Sequence, residues 1–172
     1  MKVFLLGFMG SGKSTIGKKL ASKMNLEFID LDKLIESEME CSVQDAFALK
    51  GEHYFREQET KALIKVSKQE NVLVALGGGT PCFENNFEII SITGISVYLQ
   101  LEKVDLYNRL SKNRGGRPLL MSLNENELET YINSTLDTRE EFYKTADITI
   151  NGKDFNAEKY QILIEEINTH DK

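Results

Sequence analysis

The stretch Gly7-Phe-Met-Gly-Ser-Gly-Lys-Ser14 constrains this chain more than any other. It fits the pattern G-x-x-x-x-G-K-[ST], in which backbone N–H groups curl inward around a phosphate. Glycines permit that curl. Lys13 is placed to reach the β- and γ-phosphates of a nucleotide, and the Ser14 hydroxyl can ligate Mg²⁺. The flanks agree with the motif. Lys2-Val-Phe-Leu-Leu6 reads as a buried strand. Ile16, Leu20 and Met24 recur at helical spacing, so Thr15 to Met24 reads as a helix whose N-terminus favours an anion.

A phosphate loop of this kind demands an α/β sheet, and the remaining periodicity supplies one. Short apolar runs at Leu26–Ile29, Val72–Leu76, Ile95–Gln100 and Ile148–Ile150 alternate with helical stretches. Helices are expected at Lys33–Glu40, Val43–Leu49, Glu52–Gln69, Phe83–Ile90, Val104–Leu110, Glu125–Tyr143 and Ala157–Ile167. Gly51 separates the second and third of these. The helical block between the second and third strands forms an insertion at one edge of the sheet. The 172 residues suit a single domain, with the insertion at about 32–70 and a polar, basic loop at about 112–123.

The net charge is −6, which offers no basic field to nucleic acid or to an anionic membrane surface. No apolar run approaches a membrane span, and no signal-type h-region follows Met1. Cys41 and Cys82 are far apart and read as reduced structural thiols. A cytoplasmic protein is expected.

In a parallel sheet, ligands bind beyond the carboxyl ends of the strands. Three such ends carry chemistry here: the phosphate loop, Asp30 with Asp32, and Gly77-Gly-Gly79. On an extended segment Asp30 and Asp32 would share a face. One could hold Mg²⁺ or its water, and the other could accept a proton from an attacking hydroxyl. Asp32 also suits a cap for the helix expected from Lys33, but beside a phosphate loop the catalytic reading is the stronger. The glycines let a ligand lie against bare backbone. Arg56 and Glu59 stand at i, i+3, so the carboxylate can orient the guanidinium toward a carboxylate or phosphate. From residues alone, an ordinary surface ion pair fits equally. Lys112, Arg114 and Arg117 cluster in a loop that could close over transferring phosphate. Arg139 reads simply as a helical arginine.

Taken in order, these motifs resemble the shikimate kinase family over nearly the whole chain. Phe55-Arg-Glu-Gln-Glu59, Arg117-Pro-Leu-Leu120 and Arg139-Glu-Glu-Phe-Tyr143 complete the set. The resemblance implies a five-stranded parallel sheet of the nucleoside monophosphate kinase type, with a substrate-binding insertion and a lid. It implies ATP and Mg²⁺, and transfer of the γ-phosphoryl group to the 3-hydroxyl of shikimate in aromatic amino acid biosynthesis. Gly10, Ser11, Gly12, Lys13, Ser14 and Thr15 would contact the nucleotide, with Arg114 and Arg117 from the lid. Lys13, Asp32 and Arg117 would be catalytic. Ser14 and Asp30 would serve the metal. Asp32, Arg56, Gly78, Gly79 and Arg139 would bind shikimate. Either Arg109 or Arg114 could meet the adenine. A monomer is expected.

Related kinases acting on gluconate or on a nucleoside monophosphate are the nearest rivals. The arginine pair favours a carboxylate over a base. A GTP-binding switch would call for Asn-Lys-x-Asp. The nearest string is Asn151-Gly-Lys-Asp154, with the lysine displaced.

Overall fold

The computed structural model describes residues 1–113 and 117–171. Strand β1 (Lys2–Leu6) enters the phosphate loop and helix α1 (Lys13–Met24). Strand β2 (Glu27–Asp30) leads to α2 (Leu31–Met39) and α3 (Val43–Val66), the helical insertion. Next come β3 (Val72–Ala75), a 3₁₀ turn (Thr80–Cys82), α4 (Asn86–Thr93), β4 (Ile95–Gln100) and α5 (Lys103–Lys112). A second 3₁₀ turn (Pro118–Leu120), α6 (Glu125–Tyr143), β5 (Ile148–Asn151) and α7 (Ala157–His170) complete the chain. The strands form one parallel sheet in the order β2-β3-β1-β4-β5. The expected five-stranded sheet with flanking helices is therefore present, and the insertion sits beside the β2 edge.

β1 is central because its apolar run serves two cores at once. Val3 and Leu5 face α1 and α7, where they meet Leu20 and Leu163. Phe4 and Leu6 face the other layer, with Leu63, Leu106 and Leu136. Burying each such side chain contributes about 1.5–3 kcal/mol, well above the few tenths by which helix propensities differ. Burial on both faces is what makes these strands unbroken apolar runs. After β1 the chain builds β2 and β3 on one side, then crosses to build β4 and β5 on the other. The carboxyl end of β1 is thus a topological switch point, the place where ligands bind in such sheets.

Two boundaries near the site differ from expectation. α2 begins at Leu31 rather than Lys33, because Asp30 takes the N-cap and accepts from Lys33 N at 3.4 Å. Asp30 ends the pairing of β2 with β3, while Asp32 lies in the first helical turn. The two aspartates therefore do not share a face of an extended segment. The fourth helix starts at Asn86, since Thr80–Cys82 forms a 3₁₀ turn with Pro81 inside it. The expected break at Gly51 is present: the two helical stretches of α3 meet there in a kink with non-helical backbone (φ 82°, ψ 169°). Among the described residues, no helix is long and apolar enough to cross a membrane.

Candidate active site

A cleft of about 700 Å³ opens at the carboxyl ends of β1, β2 and β3. The phosphate loop forms its floor. Gly12 caps α1 in the left-handed region (φ 102°), which an L side chain rarely adopts. No side chain caps this helix and no acidic residue stands in its first turn. Its N-terminal field is therefore available to an anion. Gly10, Gly12, Lys13, Ser14 and Thr15 line the cleft. Ser11 does not: its side chain is buried and its amide donates to Phe8 O at 3.1 Å.

The Lys13 ammonium donates to Gly7 O at 2.6 Å and to Phe8 O at 3.0 Å. Burial lowers its pKa to about 8, against the pull of Asp32 and Asp30, and with Arg139 and Arg117 pushing the same way. The Ser14 hydroxyl donates to Asp30 Oδ2 at 2.7 Å. Two hard oxygen donors thus stand side by side at the loop. Among the described residues, no group of three or more His, Cys, Asp and Glu side chains gathers. The Ser14–Asp30 pair suits Mg²⁺, which is commonly held by one or two protein oxygens together with phosphates.

Asp32 faces the same cleft from α2. Its pKa is raised to about 7, chiefly by burial, then by the negative charges of Glu59 and Asp30. Lys13 and Arg56 oppose the shift. A carboxylate poised near neutrality is suited to accept a proton at physiological pH.

Arg56 and Glu59 are not a surface pair. Arg56 is 9% exposed and Glu59 0%. Nη1 of Arg56 is bonded to Glu59 Oε2, and Nη2 donates to Glu52 Oε1 at 3.0 Å. Across the cleft, Arg139 comes from α6, with its guanidinium 5.7 Å from the centre of the Phe8 ring. Its Nη1 is buried and finds no hydrogen-bond partner among the described residues. A buried guanidinium nitrogen without an acceptor is costly, and an anionic ligand would supply one.

The glycine string has a use the sequence did not disclose. An added Cβ at Gly79 would lie 2.5 Å from Arg56 Cζ, and one at Gly78 would lie 3.2 Å from Arg139 Nη1. The missing side chains make room for the two guanidiniums, as well as leaving backbone bare to a ligand. The Tyr143 hydroxyl donates to Gly78 O and so ties α6 to the end of β3.

Arg109, Arg117 and Leu119 also line the cleft, together with Val43 and Phe47 of the insertion. Arg109 Nη1 donates to Gly10 O and Ser11 O at 3.1 and 3.2 Å. Arg117 Nη1 donates to Asn113 O at 2.6 Å. Arg114 lies outside the described residues. Thr80 was missed in the sequence: its buried hydroxyl donates to Glu59 Oε1 at 2.6 Å. Its position directly after the glycines was the available signal.

The shikimate kinase family profile matches residues 9–168. The chain is 41% identical to a shikimate kinase of Parabacteroides distasonis over 170 residues, covering 99% of this chain and 94% of the relative. It is similar to the crystal structure of shikimate kinase from Bacteroides thetaiotaomicron, with a TM-score of 0.88 at 35% identity, over 99% of this chain and 97% of that one. Shikimate kinase from Acinetobacter baumannii, solved in complex with shikimate, gives 0.89 at 29% identity, over 99% and 94%. Matches that run nearly the full length of both partners place this chain in the shikimate kinase family.

Proposed function

We propose that this protein transfers the γ-phosphoryl group of ATP to the 3-hydroxyl of shikimate, as a cytoplasmic monomer in aromatic amino acid biosynthesis. The observation that carries the reading is the placement of Arg56 and Arg139 at the strand ends that also hold the phosphate loop. Two guanidiniums suit a carboxylate, and a carboxylate beside a phosphate loop calls for a small hydroxy acid as acceptor.

In this reading Gly10, Gly12 and Thr15 cradle the nucleotide's phosphates, while Lys13 neutralises charge on the β- and γ-groups. Ser14 and Asp30 would hold Mg²⁺, which would offset the negative charge of the phosphates. Asp32 accepts the proton of the 3-hydroxyl as its oxygen bonds to the γ-phosphorus and the bond from that phosphorus to the departing ADP breaks. Arg56 and Arg139 grip the acceptor's carboxylate, with the backbone of Gly78 and Gly79 beside it. Arg117 comes from the lid at about 112–123 and faces the charge spread over the transferring group. Leu119 and Phe47 shield the reacting atoms from water. Positioning and electrostatics supply the rate, since phosphoryl transfer leaves little covalent work to the protein.

The test offers shikimate, gluconate and nucleoside monophosphates separately, with Mg²⁺ and ATP present. ADP release that depends on shikimate is expected. Release with gluconate or a nucleotide, and none with shikimate, overturns the assignment.

A further inference from the structure

Glu59 is wholly buried, and both carboxylate oxygens are engaged. Oε2 receives Arg56 Nη1, and Oε1 receives the Thr80 hydroxyl at 2.6 Å. Thr80 is itself wholly buried. Its amide donates to Gly77 O at 3.2 Å, and its carbonyl accepts from Asn86 Nδ2 at 2.9 Å. Asn86 is buried at the start of α4. A line of bonds therefore runs from Asn86 through Thr80 and Glu59 to Arg56, joining α4, the turn after β3, and α3. It passes Gly77, where an added Cβ would lie 2.9 Å from Thr80 Oγ1. The bare α-carbon leaves the room in which hydroxyl and carboxylate meet.

Arg56 has two acidic partners of different character. The Glu52 side chain is 55% exposed, whereas that of Glu59 is 1% exposed. Solvent and side-chain freedom weaken the first, so Glu59 sets the direction of the fork. A carboxylate held by one oxygen can still swing about its last torsions. A second bond, from a buried hydroxyl of fixed backbone, removes that freedom. Hydrogen bonds to ionised acceptors are also the stronger kind, and a buried oxygen left without one is costly.

We propose that Thr80 is a positioning residue of the acceptor pocket. Its hydroxyl, anchored through Asn86, fixes the Glu59 carboxylate and thereby aims the Arg56 guanidinium at the acceptor's carboxylate. The inference rests on the reading of Arg56 as a carboxylate-binding residue.

The test compares Thr80→Val, which keeps the shape and removes the hydroxyl, with Thr80→Ser, which keeps the hydroxyl. In Thr80→Val the KM and Kd for shikimate should rise by at least about tenfold, with the KM for ATP unchanged. Thr80→Ser should restore the acceptor KM. An acceptor whose carboxylate is replaced by an amide should be used equally by wild type and Thr80→Val. Thermal melting reports whether the fold survives, and Thr80→Ala, which cannot crowd the site, must show the same split. A wild-type acceptor KM in Thr80→Val, an equal loss on the amide acceptor, or no rescue by serine overturns the proposal. A second arm needs no substrate. In ¹⁵N-arginine spectra of the ligand-free protein, assigned with Arg56→Lys, the Arg56 Nη signals should be resolved in wild type and averaged in Thr80→Val. Unchanged Arg56 signals in Thr80→Val overturn the proposal. If wild type turns over a different acceptor, the functional reading falls, and these spectra still decide on Thr80.

Discussion

The Lys13 ammonium stands 2.6 Å from the carbonyl oxygen of Gly7, the residue that opens its own loop. The loop's backbone thus satisfies the cation before any phosphate arrives. Its lowered pKa, near 8, follows from that enclosure. The contact separates what Lys13 does for the fold from what it does for chemistry. The glycine backbone and α1 shape the loop, and the ammonium answers to charge.

Lys13→Met should therefore lose turnover by a factor on the order of 10²–10³, as when other preorganised electrostatic donors are removed. The melting temperature should stay at or above that of wild type, since a buried cation is removed. Turnover and melting are measured together. Retained activity, or a collapsed transition, contradicts the role.

Asp32→Asn should lower kcat by about 10²–10⁴-fold while leaving ATP binding nearly unchanged. Helix capping does not confound this variant, because the cap belongs to Asp30. The same substitution should change stability with a definite sign. The folded pKa of about 7 lies above the ordinary 3.8, so the folded state holds this proton more tightly than the unfolded state does. The resulting stability is full below the unfolded value and is lost as pH rises through about 7. Asn carries no such loss. The ligand-free variant should gain melting temperature relative to wild type as pH rises from about 4 to about 7, the window between the ordinary 3.8 and the folded value of about 7.

The pH profile of kcat/KM for the acceptor should rise through about 7, where Asp32 gives up its proton. Glu59 is the largest charge contribution to that raised value. Glu59→Gln should shift the acidic limb to lower pH and raise the acceptor KM, because Arg56 loses its main anchor. A limb that stays in place would remove Asp32 as the titrating base.

Arg117 Nη1 donates to Asn113 O, a contact local to its own loop. Closure should need nucleotide. Backbone amides of Arg117 and Leu119 to Met121 should exchange fast in the free protein and become protected with nucleotide and acceptor together. Equal exchange in both states would take the lid out of the mechanism.

Arg56→Lys should resemble Arg56→Ala, because an ammonium cannot copy the planar fork. Truncating one partner of a buried charge pair costs about 2–5 kcal/mol. The loss should fall on the acceptor's kcat/KM, with the KM for ATP unchanged. An amide analogue of the acceptor should lose little more with Arg56→Ala than with wild type. Independent, additive losses would mean that Arg56 does not touch the carboxylate.

Local order in this chain was written in its periodicity. The strand–loop–helix of Lys2 to Met24, the five apolar runs and the break at Gly51 depend on near neighbours along the backbone, and those interactions are legible residue by residue. So was the phosphate loop, since its geometry is set by glycines and a lysine within one turn. Tertiary structure decided what those pieces share. Arg56 and Glu59 could equally have been a surface pair; their burial depends on α3 packing against the turn after β3. Arg139 became a cleft residue because α6 crosses the end of β3, far away in sequence. Asp32 left the extended segment because Asp30, at the last paired position of β2, took the cap. The glycines after β3 had their use fixed by guanidiniums arriving from two distant helices, and Thr80 acquired a partner 21 residues earlier in the chain. Sequence spacing encodes interactions within a helix or strand, whereas which distant side chains meet is set by strand order and layer packing.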